Sequence, residues 1–202
     1  MVILEFMVKL DITKLKMLKL KKGNQCNMFY HNITKDEMLN GDGLGVVLWV
    51  SGCSHRCPSC QNPETWSTTS GIEFDDSARQ EIFDQLDQDY ISRLTLSGGD
   101  PLHKNNIDTL TDLVKEVKHK YENTKKVWIY SGYTYESLLE DKDKDEVSSK
   151  RFNLMSMCDV FVDGRFYKNL ADEKYHWAGS TNQKIISVPE SLKQNKIVLY
   201  CD

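Results

Sequence analysis

Apolar positions along this chain alternate between two rhythms. Val46-Val47-Leu48-Trp49-Val50 is a short continuous apolar run rich in β-branched residues, and it predicts a buried strand. Between Phe74 and Asp89, the residues Phe74, Ala78, Ile82, Phe83 and Leu86 fall on one helical face, with Asp75 or Asp76 placed to cap its start. Leu94-Thr95-Leu96-Ser97 reads as a strand running into Gly98-Gly99. Ile107, Leu110, Leu113, Val114 and Val117 mark a second amphipathic helix. Val127-Trp128-Ile129-Tyr130 predicts a strand stopping before Gly132, and a third helix is expected from Tyr135 to Leu139. The charged run from Asp141 to Glu146 predicts a solvated loop or helix end. Val160-Phe161-Val162 is a further strand, ending at Asp163-Gly164.

Strand and helix in alternation imply an α/β fold with a mainly parallel sheet and right-handed crossovers. Sites in such folds form where the strands end at their carboxyl side. Each strand here is followed at once by a polar or glycine-rich segment. Gly98-Gly99-Asp100-Pro101, Ser131-Gly132-Tyr133, Asp163-Gly164 and the segment after Val50 are therefore expected to face one mouth.

Composition narrows the class. The chain has 202 residues, enough for one domain with a sizeable core, and it is 40% hydrophobic and 28% charged, which suits a soluble globular protein. A net charge of −4 gives no general electrostatic reason to bind nucleic acid. No apolar run is long enough to span a bilayer, and Met1–Leu10 lacks the basic start and small-residue cleavage site of a signal peptide. A cytoplasmic setting with reduced thiols follows as the expectation. Residues 1–26 carry Lys9, Lys14, Lys16, Lys19, Lys21 and Lys22 and read as an appended strand, helix or loosely held extension. Residues 27–202 then form the working domain.

Three of the six cysteines lie together in Ser51-Gly52-Cys53-Ser54-His55-Arg56-Cys57-Pro58-Ser59-Cys60. Thiolates at this spacing can wrap a [4Fe–4S] cube, and three cysteines for four irons leave one iron able to bind something else. A structural zinc site would need a fourth ligand from His55, Cys26, Cys158 or Cys201. An electron-transfer ferredoxin would supply four cysteines. Cys158, at the start of a core strand, reads as a buried apolar residue. Gly98 and Gly99 allow close backbone approach to a bound amino acid, and Asp100 offers an acceptor to an ammonium group. A plain strand-to-loop turn before Pro101 is the alternative. Ser131, Gly132 and Tyr133 fit either a ribose and adenine or a simple strand end.

The Cys-x3-Cys-x2-Cys loop after a strand resembles the radical S-adenosylmethionine superfamily. Residues 51–66 (Ser-Gly-Cys-Ser-His-Arg-Cys-Pro-Ser-Cys-Gln-Asn-Pro-Glu-Thr-Trp), 96–103 (Leu-Ser-Gly-Gly-Asp-Pro-Leu-His), 128–134 (Trp-Ile-Tyr-Ser-Gly-Tyr-Thr), 161–166 (Phe-Val-Asp-Gly-Arg-Phe) and 177–183 (Trp-Ala-Gly-Ser-Thr-Asn-Gln) narrow it. In that order they resemble the activating proteins of anaerobic ribonucleoside-triphosphate reductase, over about residues 40–188.

The resemblance implies a partial (β/α) barrel of the radical S-adenosylmethionine type. It implies a [4Fe–4S] cluster on Cys53, Cys57 and Cys60, with S-adenosylmethionine on the open iron through its amino and carboxylate groups. One electron would then split the sulfonium into methionine and a 5′-deoxyadenosyl radical. That radical would take hydrogen from a glycine of the reductase's large glycyl-radical subunit. A small electron donor such as a flavodoxin is implied. Ser59, Cys60 and Gln61, with Gly98, Gly99, Asp100, Ser131, Gly132 and Tyr133, are the implied cofactor contacts, and His55 either orients the loop, hydrogen-bonds the cluster or fills the loop.

The family's Gly-Pro-Gly stretch with a nearby arginine appears here as Gly41-Asp42-Gly43-Leu44-Gly45, lacking both proline and arginine. Gln61 stands where tyrosine is frequent, and Ser59 where many superfamily members carry an aromatic residue. Three other functions compete: a pyruvate formate-lyase activase, a compact synthase of the deazapurine type, and a non-enzymatic cluster- or zinc-binding regulator. Gly-Gly-Asp-Pro and the Ser-Thr-Asn-Gln segment favour the reductase partner.

Overall fold

The computed structural model describes residues 28–201. The expected extension, residues 1–26, and Cys26 within it lie outside the described residues. Seven strands form one sheet: β1 (Phe29–Glu37), β2 (Gly45–Val50), β3 (Ile72–Glu73), β4 (Arg93–Gly98), β5 (Lys126–Tyr130), β6 (Val160–Asp163) and β7 (Lys184–Ser187). Their spatial order is β3-β1-β2-β4-β5-β6-β7. The four central strands β2, β4, β5 and β6 are parallel neighbours, while β1, β3 and β7 pair antiparallel at the flanks. The sheet is therefore mixed α/β and mostly parallel.

Among the described residues there are five α-helices, four between strands and the last after β7: α1 (Asp76–Leu86), α2 (Ile107–Lys120), α3 (Tyr135–Asp141), α4 (Glu146–Ser156) and α5 (Val188–Gln194). Asp75 caps α1 by accepting from the Ala78 amide, a bond worth about 1 kcal/mol. Thr134 and Ser137 close a reciprocal capping box on α3. The chain between α3 and α4 is the solvated run that the charges predict, from Asp141 to Glu146.

Strand alternation sorts the side chains into two faces. Val46, Leu48, Val50, Leu94, Leu96, Val127, Ile129 and Phe161 enter one core with the buried faces of the helices. Trp128, Val160, Val162 and Ile185 point the other way and pack with Tyr130, Trp177, Ala178 and Tyr200. Helices thus sheath one face of the sheet, while loops and the segment before β7 cover the other. The parallel strands end together, so the loops following them lie side by side.

Candidate functional site

The loop after β2 is stitched at both ends before it reaches any cysteine. Ser51 donates its amide to Phe29 O (2.8 Å) and its hydroxyl to Ser70 O (2.6 Å). Gly52 and Cys53 donate to the carbonyls of Thr65 and Trp66, so the short 3₁₀ turn Pro63–Trp66 folds back on the loop's start. Arg56 and Ser59 hold left-handed backbone, with φ of 45° and 61°, which coils the chain tightly between the cysteines.

Each of the three sulfurs meets an N–H donor. The amides of His55 and Arg56 donate to Cys53. The Asn62 amide donates to Cys60 Sγ at 3.4 Å. Arg165, reaching in from the loop after β6, pairs with the Cys57 sulfur and donates to His55 O at 2.7 Å. Burial, and then the charge of Asp100, push the Cys53 thiol up, while the two amides pull the other way. N–H groups aimed at sulfur are the surroundings that an iron–sulfur cluster uses to set its potential.

The residues after β4 lock this loop in place. Gly99 lies so near the cysteine loop that a Cβ there would come within 2.7 Å of Gly52 O. The glycine pair thus serves the close approach of two backbones, as well as bordering the cleft. Asp100 is buried, and its amide donates to Gly52 O at 2.8 Å. One carboxylate oxygen accepts from the Leu102 amide (2.8 Å) and the Ser131 hydroxyl (2.9 Å). The other lies 2.6 Å from His55 Nε2, off the line of a ring N–H hydrogen bond. Asn106 donates its side-chain amide to both Ser51 O and Asp100 O. One buried carboxylate and one buried amide therefore join the ends of β2, β4 and β5.

These loops border a cleft of about 740 Å³ on the sheet face away from the helices. Cys53, Cys57 and Cys60 line it together, with Gln61 beside them. Gly98, Gly99, Ser131, Gly132 and Gly164 bring in the ends of β4, β5 and β6, which is the convergence expected from the strand pattern. Ser59 is exposed and apart from the lining. Asp100 and Tyr133 sit behind it, with the Tyr133 ring edge-on to His55 at 4.7 Å and the Arg151 guanidinium over its face. Asp163 is buried and pins backbone, accepting from the Tyr135 and Lys184 amides.

Arg165, Asn106, Trp49 and Tyr130 also serve the cleft, and sequence reasoning did not single them out as site residues. Arg165 belongs to the Phe-Val-Asp-Gly-Arg-Phe segment at 161–166, and its charge next to Gly164 was the available signal. Cys158 is buried on the helix-covered side, donating to Leu154 O, so it stays out of the cleft. Among the described residues, no three cysteine, histidine or carboxylate groups converge on a position for a single metal ion. Ligands on separate corners of a cube stand farther apart than ligands of one ion. Three sulfurs on one cleft wall, each met by an N–H, are a donor set that fits a cluster.

Comparison with known proteins points the same way. The family described as a 4Fe-4S single cluster domain matches residues 39–186. Three similar proteins are each named anaerobic ribonucleoside-triphosphate reductase-activating protein. That of Haemophilus influenzae is 38% identical over 160 residues, covering 78% of this chain and 97% of its own length. That of Enterobacteria phage T4 is 36% identical, covering 79% and 94%. That of Escherichia coli K12 is 34% identical, covering 78% and 97%.

Proposed function

This chain belongs to the family of anaerobic ribonucleoside-triphosphate reductase-activating proteins, and we propose that, as a member, it forms a glycyl radical on that reductase by reductive cleavage of S-adenosylmethionine. The observation that carries the reading is the shared cleft wall of Cys53, Cys57 and Cys60, set against the ends of three parallel strands. The chemistry a [4Fe–4S] cluster supplies there is one electron to the sulfonium, giving methionine and the 5′-deoxyadenosyl radical that takes hydrogen from a reductase glycine.

The protein's own part is placement. Cys53, Cys57 and Cys60 would hold the cluster, and the amides of His55, Arg56 and Asn62 with Arg165 would offset charge on their sulfurs. Gly98 and Gly99 leave the cleft floor open beside them. Asp100, oriented by Ser131 and the Leu102 amide, would accept from the cofactor's ammonium group through the oxygen that faces His55. Gln61, Ser131 and Gly132 border the nucleoside, and Ser59 and Tyr133 support that wall from outside the lining. A sheet with its helices on one face and its site on the other supports a partial-barrel form for residues 28–201. A flavodoxin-like protein is the proposed electron source. No helix among the described residues is long and apolar enough to cross a membrane.

Anaerobic reconstitution with iron and sulfide, reduction with S-adenosylmethionine present, and assay for 5′-deoxyadenosine test the reading. Cleavage, followed by a glycyl-radical resonance on added reductase, is the expected result. A colourless zinc protein, or a cluster that never cleaves the cofactor, overturns it in favour of a binding module. Asp100→Ala is expected to keep the cluster spectrum and weaken S-adenosylmethionine binding about tenfold or more, the worth of one hydrogen bond to a charged group. Unchanged affinity by equilibrium binding removes the role assigned to Asp100.

A further inference from the structure

The turn between β1 and β2 presents two large apolar side chains to solvent, yet it is anchored from below with unusual care. Met38 is 67% exposed and Leu39 is 81% exposed. Both, with Asn40, line the cleft that holds the three cysteines. Beneath them Glu37 is buried, and its carboxylate accepts from the Leu39 amide (2.6 Å), the Asn40 amide (3.0 Å) and the Asn40 side chain (2.9 Å). Arg93, fully buried on β4, donates to both the carbonyl and the carboxylate of Glu37 at 2.9 Å. Thr95 closes the ring by donating to Asn40 O.

A buried ion pair is a poor source of net stability, because desolvation offsets most of its attraction. Its distinct effect here is to fix the direction of residues 38–40, the first part of the connection between β1 and β2. Met38 and Leu39 are neighbours, both exposed and both at the mouth of the cleft, so together they form an apolar patch where a partner would enter. The reacting hydrogen belongs to a glycine inside another polypeptide, so that polypeptide must pass the mouth to come near the cysteines.

We propose that the Met38–Asn40 turn, held by Glu37 and Arg93, is the docking lip for the extended glycine-bearing segment of the reductase, with Leu39 seating an apolar side chain next to that glycine. The inference rests on the reading of the chain as a reductase-activating protein. It adds which surface receives the partner.

The test uses the full chain carrying its reconstituted cluster, with Leu39→Asp and Glu37→Gln as variants. Two quantities are read for each: 5′-deoxyadenosine formed without reductase, and the reductase concentration giving half-maximal glycyl radical. Leu39→Asp is expected to leave the first unchanged and raise the second about ten- to a hundredfold, the factor that burying one leucine side chain commands. Glu37→Gln keeps the side chain's shape and is expected to raise it less. An unchanged half-maximal concentration in Leu39→Asp overturns the lip. So does a parallel loss of 5′-deoxyadenosine without reductase, which assigns the turn to the cofactor. So does a shift in the wild-type sedimentation coefficient that Leu39→Asp abolishes, which assigns it to a second copy of this chain. Failure of the wild type to cleave the cofactor is a separate result, and it sinks the underlying reading instead.

Discussion

Cys57→Ala is expected to yield a protein that, after anaerobic reconstitution, holds almost no iron and forms no 5′-deoxyadenosine above background. Cys57 is the most buried of the three cleft cysteines, and it lies between the other two in a loop already committed to its shape. The loop is tied to Phe29, Thr65 and Trp66 by backbone bonds that the substitution does not touch, so the fold survives while the ligand set does not. With the three thiolates as the proposed ligands, removing one leaves two of the cube's four irons without a protein ligand. Cys53→Ala and Cys60→Ala are expected to behave alike. Cys158→Ala is the control, since its thiol sits among Leu154 and Met155 behind the sheet. That variant is expected to bind iron and cleave the cofactor as the wild type does. Iron and sulfide content, with the visible spectrum, check the first half, and chromatographic assay of 5′-deoxyadenosine checks the second. Retained cleavage in any cleft-cysteine variant breaks the ligand assignment.

Arg93→Met is expected to lower stability by about 3–5 kcal/mol, the cost of leaving one partner of a buried ion pair behind. Arg93 has no exposed surface, and it satisfies Glu37 O, the Glu37 carboxylate and Thr95 together. Methionine can fill much of the volume but donates nothing. Burial alone would push the Glu37 carboxyl up, but Arg93, the Leu39 and Asn40 amides and the Asn40 side chain together hold it below its ordinary value. A carboxyl depressed on folding adds stability above its unfolded value and loses it as pH falls through the folded one. Without Arg93 that depression shrinks, so the deficit of the variant is greatest near neutrality and narrows as acid protonates Glu37. Urea titrations across the acid range check this. Glu37→Gln combined with Arg93→Met is expected to recover a large part of the loss, because no stranded charge then remains at this pair. A deficit independent of pH would mean that lost packing, not stranded charge, is what the substitution measures.

The parts of the fold that could be read in advance are those where burial follows a period. β2, β4, β5 and β6 are runs of buried apolar residues, and α1 and α2 carry clear apolar faces. β1 was hidden because it is polar along most of its length. Only Ile33 and Glu37 within it are buried, and its place is set by pairing with β2 and β3. β7 has four residues, and α5 has seven and opens on Val188-Pro189, too little for either period to register. α4 buries Ser148, Leu154 and Met155, which is a weak stripe beside Lys150 and Arg151.

The site divided in the same manner. Cysteine spacing and strand ends located the cleft, because both are local in sequence. The ties across it are not local: Arg165 reaches His55 over 110 positions and Arg93 reaches Glu37 over 56. No window along the chain contains both members of such a pair. The Gly41–Gly45 stretch, read as missing an arginine, lies against one supplied by β4.

That arginine binds the history of three positions together. A Cβ on Gly41 would lie 2.8 Å from Arg93 Nε, and a Cβ on Gly45 would overlap the Arg93 side chain. Neither glycine can therefore acquire a side chain while the guanidinium keeps its place, and the arginine in turn has room only while both remain bare. A side chain at either glycine calls for a smaller residue at 93, with Glu37 neutralised in step. Lineages that rebuilt the Met38–Asn40 turn to suit a different reductase would carry the trace as correlated replacement at 37, 41, 45 and 93.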